Sequence, residues 1–142
     1  MFTTSHLHPM LVHFPIALVV FGFIAVLASL LFRKEPSLPK TGFFLLLAGT
    51  LTAITALMSG LLFTDDLSGT AGAVQNTHET FAWITLALLL VTSTYWSFLR
   101  FKNRSNFGLN WITIVLYGLS TVSVSITGYL GGTLVYNYMM PI

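Results

Sequence analysis

Residues 10–32 read MLVHFPIALVVFGFIAVLASLLF, and this stretch decides the class of fold. It contains no Asp, Glu, Lys or Arg, and as a helix it is long enough to cross about 30 Å of hydrocarbon. Three similar stretches follow, at about 42–63, 80–99 and 109–134. Because a backbone in lipid must satisfy its own hydrogen bonds, each stretch is predicted to be helical. The sequence therefore predicts an all-α fold, an integral membrane four-helix up-and-down bundle, as a single domain over residues 1–142.

The composition of the chain agrees with this prediction and excludes other classes. Hydrophobic residues make up 55% of the 142 residues and charged residues only 7%, with a mean hydropathy of +0.84. Soluble domains carry about 25% charged residues, so a soluble globule is excluded. The chain has no cysteine, which excludes disulfides, thiolate metal sites and cysteine nucleophiles. The net charge of +2 rests on a few loop residues and does not indicate a nucleic-acid partner.

The charges in the loops predict the orientation of the bundle. Six basic residues lie in the loops after the first and third spans: Arg33, Lys34, Lys40, Arg100, Lys102 and Arg104. Asp65, Asp66 and Glu79 lie in the loop after the second span, which is rich in turn-forming residues from Thr64 to about Thr77. The positive-inside rule places the basic loops in the cytoplasm, so both termini are predicted to be extracytoplasmic.

The histidines are the candidate functional residues. His13 and His78 each open a span that enters the membrane from the outer side, so their side chains are expected at similar depth. The first and third helices of such a bundle are diagonal neighbours, and two imidazoles facing across the core suit axial ligation of a haem iron. His8 is a second candidate ligand or a supporting group. A histidine at the membrane boundary is also compatible with a purely interfacial role.

Small residues and a faint repeat accompany these histidines. Gly60 ends a stripe of small residues in the second span, and Gly128 and Gly132 form a GxxxG pair in the fourth. Such positions allow either close helix packing or the approach of a flat ring, so the three glycines are candidate cofactor-binding residues. His13 precedes a basic loop as His78 does, which suggests two hairpins related by an axis along the membrane normal.

Three segments resemble one family across nearly the whole chain. They are His8-Pro9-Met10-Leu11-Val12-His13-Phe14-Pro15, Ala56-Leu57-Met58-Ser59-Gly60, and Gly128-Tyr129-Leu130-Gly131-Gly132-Thr133, with His78 between the last two. The chain thus resembles the small bacterial membrane proteins of domain of unknown function 2231. The resemblance implies a four-helix integral membrane domain, sometimes fused to cytochrome c-like modules. By this resemblance, His8, His13 and His78 match the family's motif, whereas His6 is not part of it. The chain itself lacks a Cys-x-x-Cys-His motif.

Three functional hypotheses follow. The first is a b-type haem-binding electron-transfer subunit of the bacterial inner membrane, with ligands His13 and His78, between quinol and an extracytoplasmic cytochrome. The second is a copper or zinc site built from His6, His8, His13 and His78. The third is a non-catalytic scaffold in a larger membrane complex or a homo-oligomer. The sequence shows no Ser-His-Asp, phosphate-loop or zincin motif, and it does not indicate whether a reaction is catalysed.

Overall fold

The computed structural model describes residues 7–102 and 108–138, and these residues are helical apart from short connections. The helices are α1 (Leu7–Leu11), α2 (His13–Leu31), α3 (Ser37–Phe63), α4 (Gly69–Lys102) and α5 (Trp111–Tyr138). A break at Val12 separates α1 from α2, which together form the first of four candidate membrane spans. The predicted all-α, four-span architecture is confirmed. His6 and Arg104 lie outside the described residues.

The connection between the second and third spans differs from its prediction. A solvated loop was expected from Thr64 to about Thr77, but α4 begins at Gly69 and the loop is confined to residues 64–68. Gln75 explains the difference, because its buried side chain accepts a hydrogen bond from the Leu67 amide at 2.8 Å and donates one to the Asp65 carbonyl at 3.2 Å. At about 1.5 Å per residue α4 is roughly 50 Å long, so it extends well beyond a bilayer core.

The four spans form a ring in which consecutive helices pack side by side and α5 returns to α2. Buried apolar side chains lie inside this ring, with an aromatic cluster toward the basic end. Phe43 and Trp96 have ring centroids 5.3 Å apart, and Tyr117 lies 6.2 Å from Trp96. The guanidinium of Arg100 stacks over Phe43 at 5.0 Å from the ring centre. Large apolar side chains are exposed along the outer faces of the spans, as lipid contact requires.

Hydroxyl groups join the helices within the core. Thr50 and Ser93 link α3 to α4 at 2.8 Å between their oxygens. The α4–α5 contact contains further links, Thr85 with Ser123 at 2.7 Å and with Thr127 at 3.0 Å, and Thr92 with Ser120 at 3.2 Å. Such contacts stabilise helix association in lipid, where water does not compete for them.

The two hairpins are a repeat, with a register that differs from the expected one. The buried positions of α2 are Pro15, Val19, Gly22 and Val26, and those of α4 include Thr85, Leu89, Thr92 and Trp96, each 70 residues later. Buried positions of α3 and α5 correspond at an offset of 71, as with Leu46 and Tyr117. In this register the equivalent of His78 is His8, and His13 corresponds to the exposed Trp83.

Candidate functional site

The helix α1 places His8 against the carboxyl-terminal end of α3. Its Nδ1–H donates to the carbonyl oxygen of Ala56 at 3.1 Å and to Oγ of Ser59 at 2.9 Å. The ring lies against Gly60, where a Cβ atom would come within 3.0 Å of its Cε1. A glycine at this position therefore lets the imidazole lie directly on the helix backbone.

His78 is held in the same way by the second hairpin. Its Nδ1–H donates to the carbonyl oxygen of Thr127 at 3.0 Å. The ring lies against Gly131, where a Cβ atom would come within 3.1 Å of its Cε1. Thr127 and Gly131 are one helical turn apart, as Ala56 and Gly60 are, so each hairpin presents one imidazole on one carbonyl and one glycine.

The two imidazoles meet at the end of the bundle that carries the 64–68 loop. Their ring centroids are 6.3 Å apart and their planes are nearly perpendicular, at 82°. A carbonyl oxygen only accepts hydrogen bonds, so each ring carries its proton on Nδ1 and its Nε2 holds a free lone pair in the neutral form. Among the described residues, neither Nε2 makes a hydrogen bond. The geometry thus provides two half-buried imidazoles in the tautomer that binds metals.

His13 takes a different position from the one predicted. Its side chain is exposed, and its Nδ1–H donates to the Pro9 carbonyl one turn back at 2.6 Å. Pro15 has no N–H to give to the carbonyl of Leu11, which opens the helix beside the Val12 break. The structure therefore brings His8, rather than His13, to His78, and His13 bonds within its own segment.

The three glycines predicted from the sequence also differ in their surroundings. Of the three predicted from the sequence, Gly60 contacts a histidine, Gly128 accommodates the Ile16 side chain, and Gly132 faces open space. The glycine that corresponds to Gly60 is Gly131, which the prediction missed. The offset of 71 between these two residues is the sequence signal that identifies it.

The described part of the chain holds no multidentate metal cluster. Within residues 7–102 and 108–138, no group of three or more His, Cys, Asp and Glu side chains is arranged to hold a metal ion. Asp65 and Asp66 are exposed in the loop. His6, needed by the four-histidine hypothesis, falls in the part that is not described. The described site consists of two imidazoles.

The fold and this site define a class: multi-pass α-helical membrane proteins with paired histidines at one end of a four-span bundle. The chain belongs to the family described as "Predicted membrane protein (DUF2231)", whose model matches residues 4–141. No curated protein and no solved structure matches the chain. The family establishes a membrane protein and assigns no activity to it.

Proposed function

We propose that this protein is a b-type haem-binding electron-transfer subunit in which His8 and His78 would hold the haem iron. The observation that carries the proposal is the pair itself, two imidazoles side by side with both Nδ1–H groups bonded to backbone carbonyls. This replaces the expected pair, His13 and His78, because the His13 side chain is exposed.

The spacing of the rings fits a single metal between them. An imidazole nitrogen binds a first-row metal at about 2.0–2.1 Å, and the ring centre lies roughly 1 Å behind that nitrogen. The centroids of His8 and His78 are 6.3 Å apart, a distance at which both rings would be able to hold one metal ion. The half-buried rings and the bonds at Nδ1 agree with a fixed ligand pair.

The number of donors favours haem over a bare ion. Structural zinc takes four protein ligands, whereas a haem iron with its porphyrin nitrogens needs only two more. The described part of the chain offers two imidazoles and no larger cluster. A copper ion held by the two rings is the nearest alternative, because imidazole also suits copper.

The residues around the pair would each have a defined task. Ala56 and Thr127 fix the tautomers through their carbonyls, and Gly60 and Gly131 let the rings lie against α3 and α5. When bound, the haem supplies one-electron chemistry at a potential set by its ligands and its burial. The pair lies at the end of the bundle that also carries Asp65, opposite the basic loops. With that end outside the bacterial inner membrane, the partners are membrane quinol and an extracytoplasmic cytochrome.

The test is an absorption spectrum with elemental analysis of the full chain, purified in mild detergent from a haem-replete host. We expect a Soret band, a pyridine haemochromogen of b-type haem, and one iron per chain. His8→Ala and His78→Ala should each abolish the bound haem, and His13→Ala is the matched control that should retain it.

Other outcomes would overturn the proposal in distinct ways. Copper without a Soret band would assign the pair to a metal-ion site. A chain free of metal and haem that purifies with a fixed partner would support the scaffold hypothesis. Loss of haem in His13→Ala, with retention in His8→Ala, would restore the pairing predicted from the sequence.

A further inference from the structure

The two imidazoles are held unequally, although the hairpins that carry them are equivalent. His8 has a second partner in Ser59, whose Oγ lies 2.9 Å from its Nδ1. At the 71-residue offset the equivalent of Ser59 is Leu130, which has no hydroxyl to offer His78. Ser59 is only 3% exposed, so solvent does not replace this contact.

The direction of each hydrogen bond at Ser59 is fixed. Its hydroxyl donates to the Ala56 carbonyl at 2.7 Å, which uses its one proton. Its lone pair must then accept the Nδ1–H of His8. The Ala56 carbonyl receives both protons, one from Ser59 and one from His8. The serine therefore acts on His8 only as an acceptor, and it stabilises the tautomer that leaves Nε2 free.

We infer that Ser59 is the positioning residue that makes His8 the more tightly fixed ligand of the pair. The part of this inference that concerns a bound haem rests on the proposed function. Acceptors at the far nitrogen of a ligating histidine fix its orientation and raise its basicity, and their loss costs about 10–100-fold in metal affinity. His78 has one such acceptor, Thr127, and His8 has two.

The first experiment measures the protonation of the histidine rings in the apoprotein, so it does not depend on haem. Histidine labelled with ¹⁵N in the full chain, prepared metal-free in micelles, reports which ring nitrogen carries the proton. We expect His8 to be in the Nδ1–H form. In Ser59→Ala the Ala56 carbonyl still holds the Nδ1–H form, but the Nδ1–H signal of His8 should shift because the group loses one of its two acceptors. In Ser59→Thr, which keeps the hydroxyl, the signal should return to its wild-type position. Unchanged His8 signals in Ser59→Ala would overturn the inference.

The second experiment measures haem binding and its midpoint potential, and it uses the equivalent position in the second hairpin as its control. Ser59→Ala should bind haem about 10-fold more weakly than the wild type and shift its midpoint potential, and Ser59→Thr should restore both. Leu130→Ser places a hydroxyl at the equivalent position beside His78, so its potential should shift in the opposite direction to that of Ser59→Ala. Haem binding and potential unchanged in Ser59→Ala would overturn the role of Ser59 and leave the proposed function intact. Absence of haem from the wild type would overturn the proposed function, and the tautomer measurement would still decide the contact.

Discussion

Gly22 is the glycine at which an added methyl group would make the shortest contact. A Cβ atom there would lie 1.9 Å from the hydroxyl oxygen of Tyr117 and 2.9 Å from Cβ of Leu45. Tyr117 is fully buried, and its hydroxyl donates to the carbonyl of Gly42 at 3.3 Å. In Gly22→Ala the phenol oxygen must retreat by about 1.1 Å to restore a contact of 3.0 Å, which breaks that hydrogen bond.

The expected change in the free energy of unfolding combines three contributions. Overpacking of a close-packed core costs about 1–3 kcal/mol. Loss of the hydrogen bond of Tyr117 adds about 1 kcal/mol. The higher helix propensity of alanine offsets about 0.5–1 kcal/mol of this destabilisation. Gly22→Ala should therefore destabilise the bundle by about 1–3 kcal/mol.

A double-mutant cycle separates this contact from a general effect of alanine. Tyr117→Phe removes the oxygen that the new methyl group meets, so Gly22→Ala should cost at least about 1 kcal/mol less in that background. Reversible unfolding in mixed micelles, followed by tryptophan fluorescence of the buried Trp96, measures all four free energies. Gly132→Ala is the control, because no atom lies within 4 Å of its added Cβ. Additivity within about 0.5 kcal/mol would refute the placement of Tyr117 against Gly22.

Three further predictions follow from individual contacts. Gly131→Ala should weaken haem binding about 10-fold, because the added methyl group crowds the imidazole of His78. Gly132→Ala should leave binding unchanged in the same spectrophotometric titration. Equal effects of the two substitutions would contradict the placement of His78 against Gly131. Gln75→Ala removes two hydrogen bonds to the backbone of the 64–68 loop. Hydrogen exchange in the loop should therefore accelerate, because about 1–3 kcal/mol of local stability is lost. Unchanged protection of the loop amides would contradict these hydrogen bonds. Thr85→Val removes a hydroxyl bonded to two others on α5 and should cost about 1 kcal/mol in the micelle unfolding assay, where a stabilised variant would refute the estimate.

The four spans were predictable because lipid imposes a length and a composition that a single sequence displays directly. The predicted spans agree with α2, α3, α4 and α5 over their apolar parts. The early start of α4 was missed, because the polar residues between Gly69 and Thr80 give no membrane signal. The helix there is tied to the preceding loop by Gln75, and such a tertiary contact is not visible in a pattern of hydropathy.

The histidine pair was predicted only in part. The prediction identified both partners as candidates and placed them at the same end of the bundle, but it paired His78 with His13. The sequence predicts a first span that begins at Met10, which leaves His8 outside it. In the structure α1 begins at Leu7, and contacts with Ala56 and Ser59 determine where the His8 ring lies. Those contacts join residues about 50 positions apart, so local rules for helix ends do not predict them.

The comparison of the two hairpins indicates which of their features matter. In the core they have diverged in chemistry: Gly22 of the first hairpin corresponds to Thr92 of the second, which bonds to a serine on α5. Close backbone packing through glycine and hydroxyl bonding are two solutions to the same contact between helices in lipid. At the end that carries the 64–68 loop, the hairpins still share one arrangement, an imidazole that bonds to a carbonyl and lies against a glycine, in His8 with Gly60 and in His78 with Gly131. Helix packing alone does not require a half-buried polar ring to be placed twice on the same type of support. This shared arrangement therefore favours a ligand that is bound by one imidazole nitrogen from each hairpin.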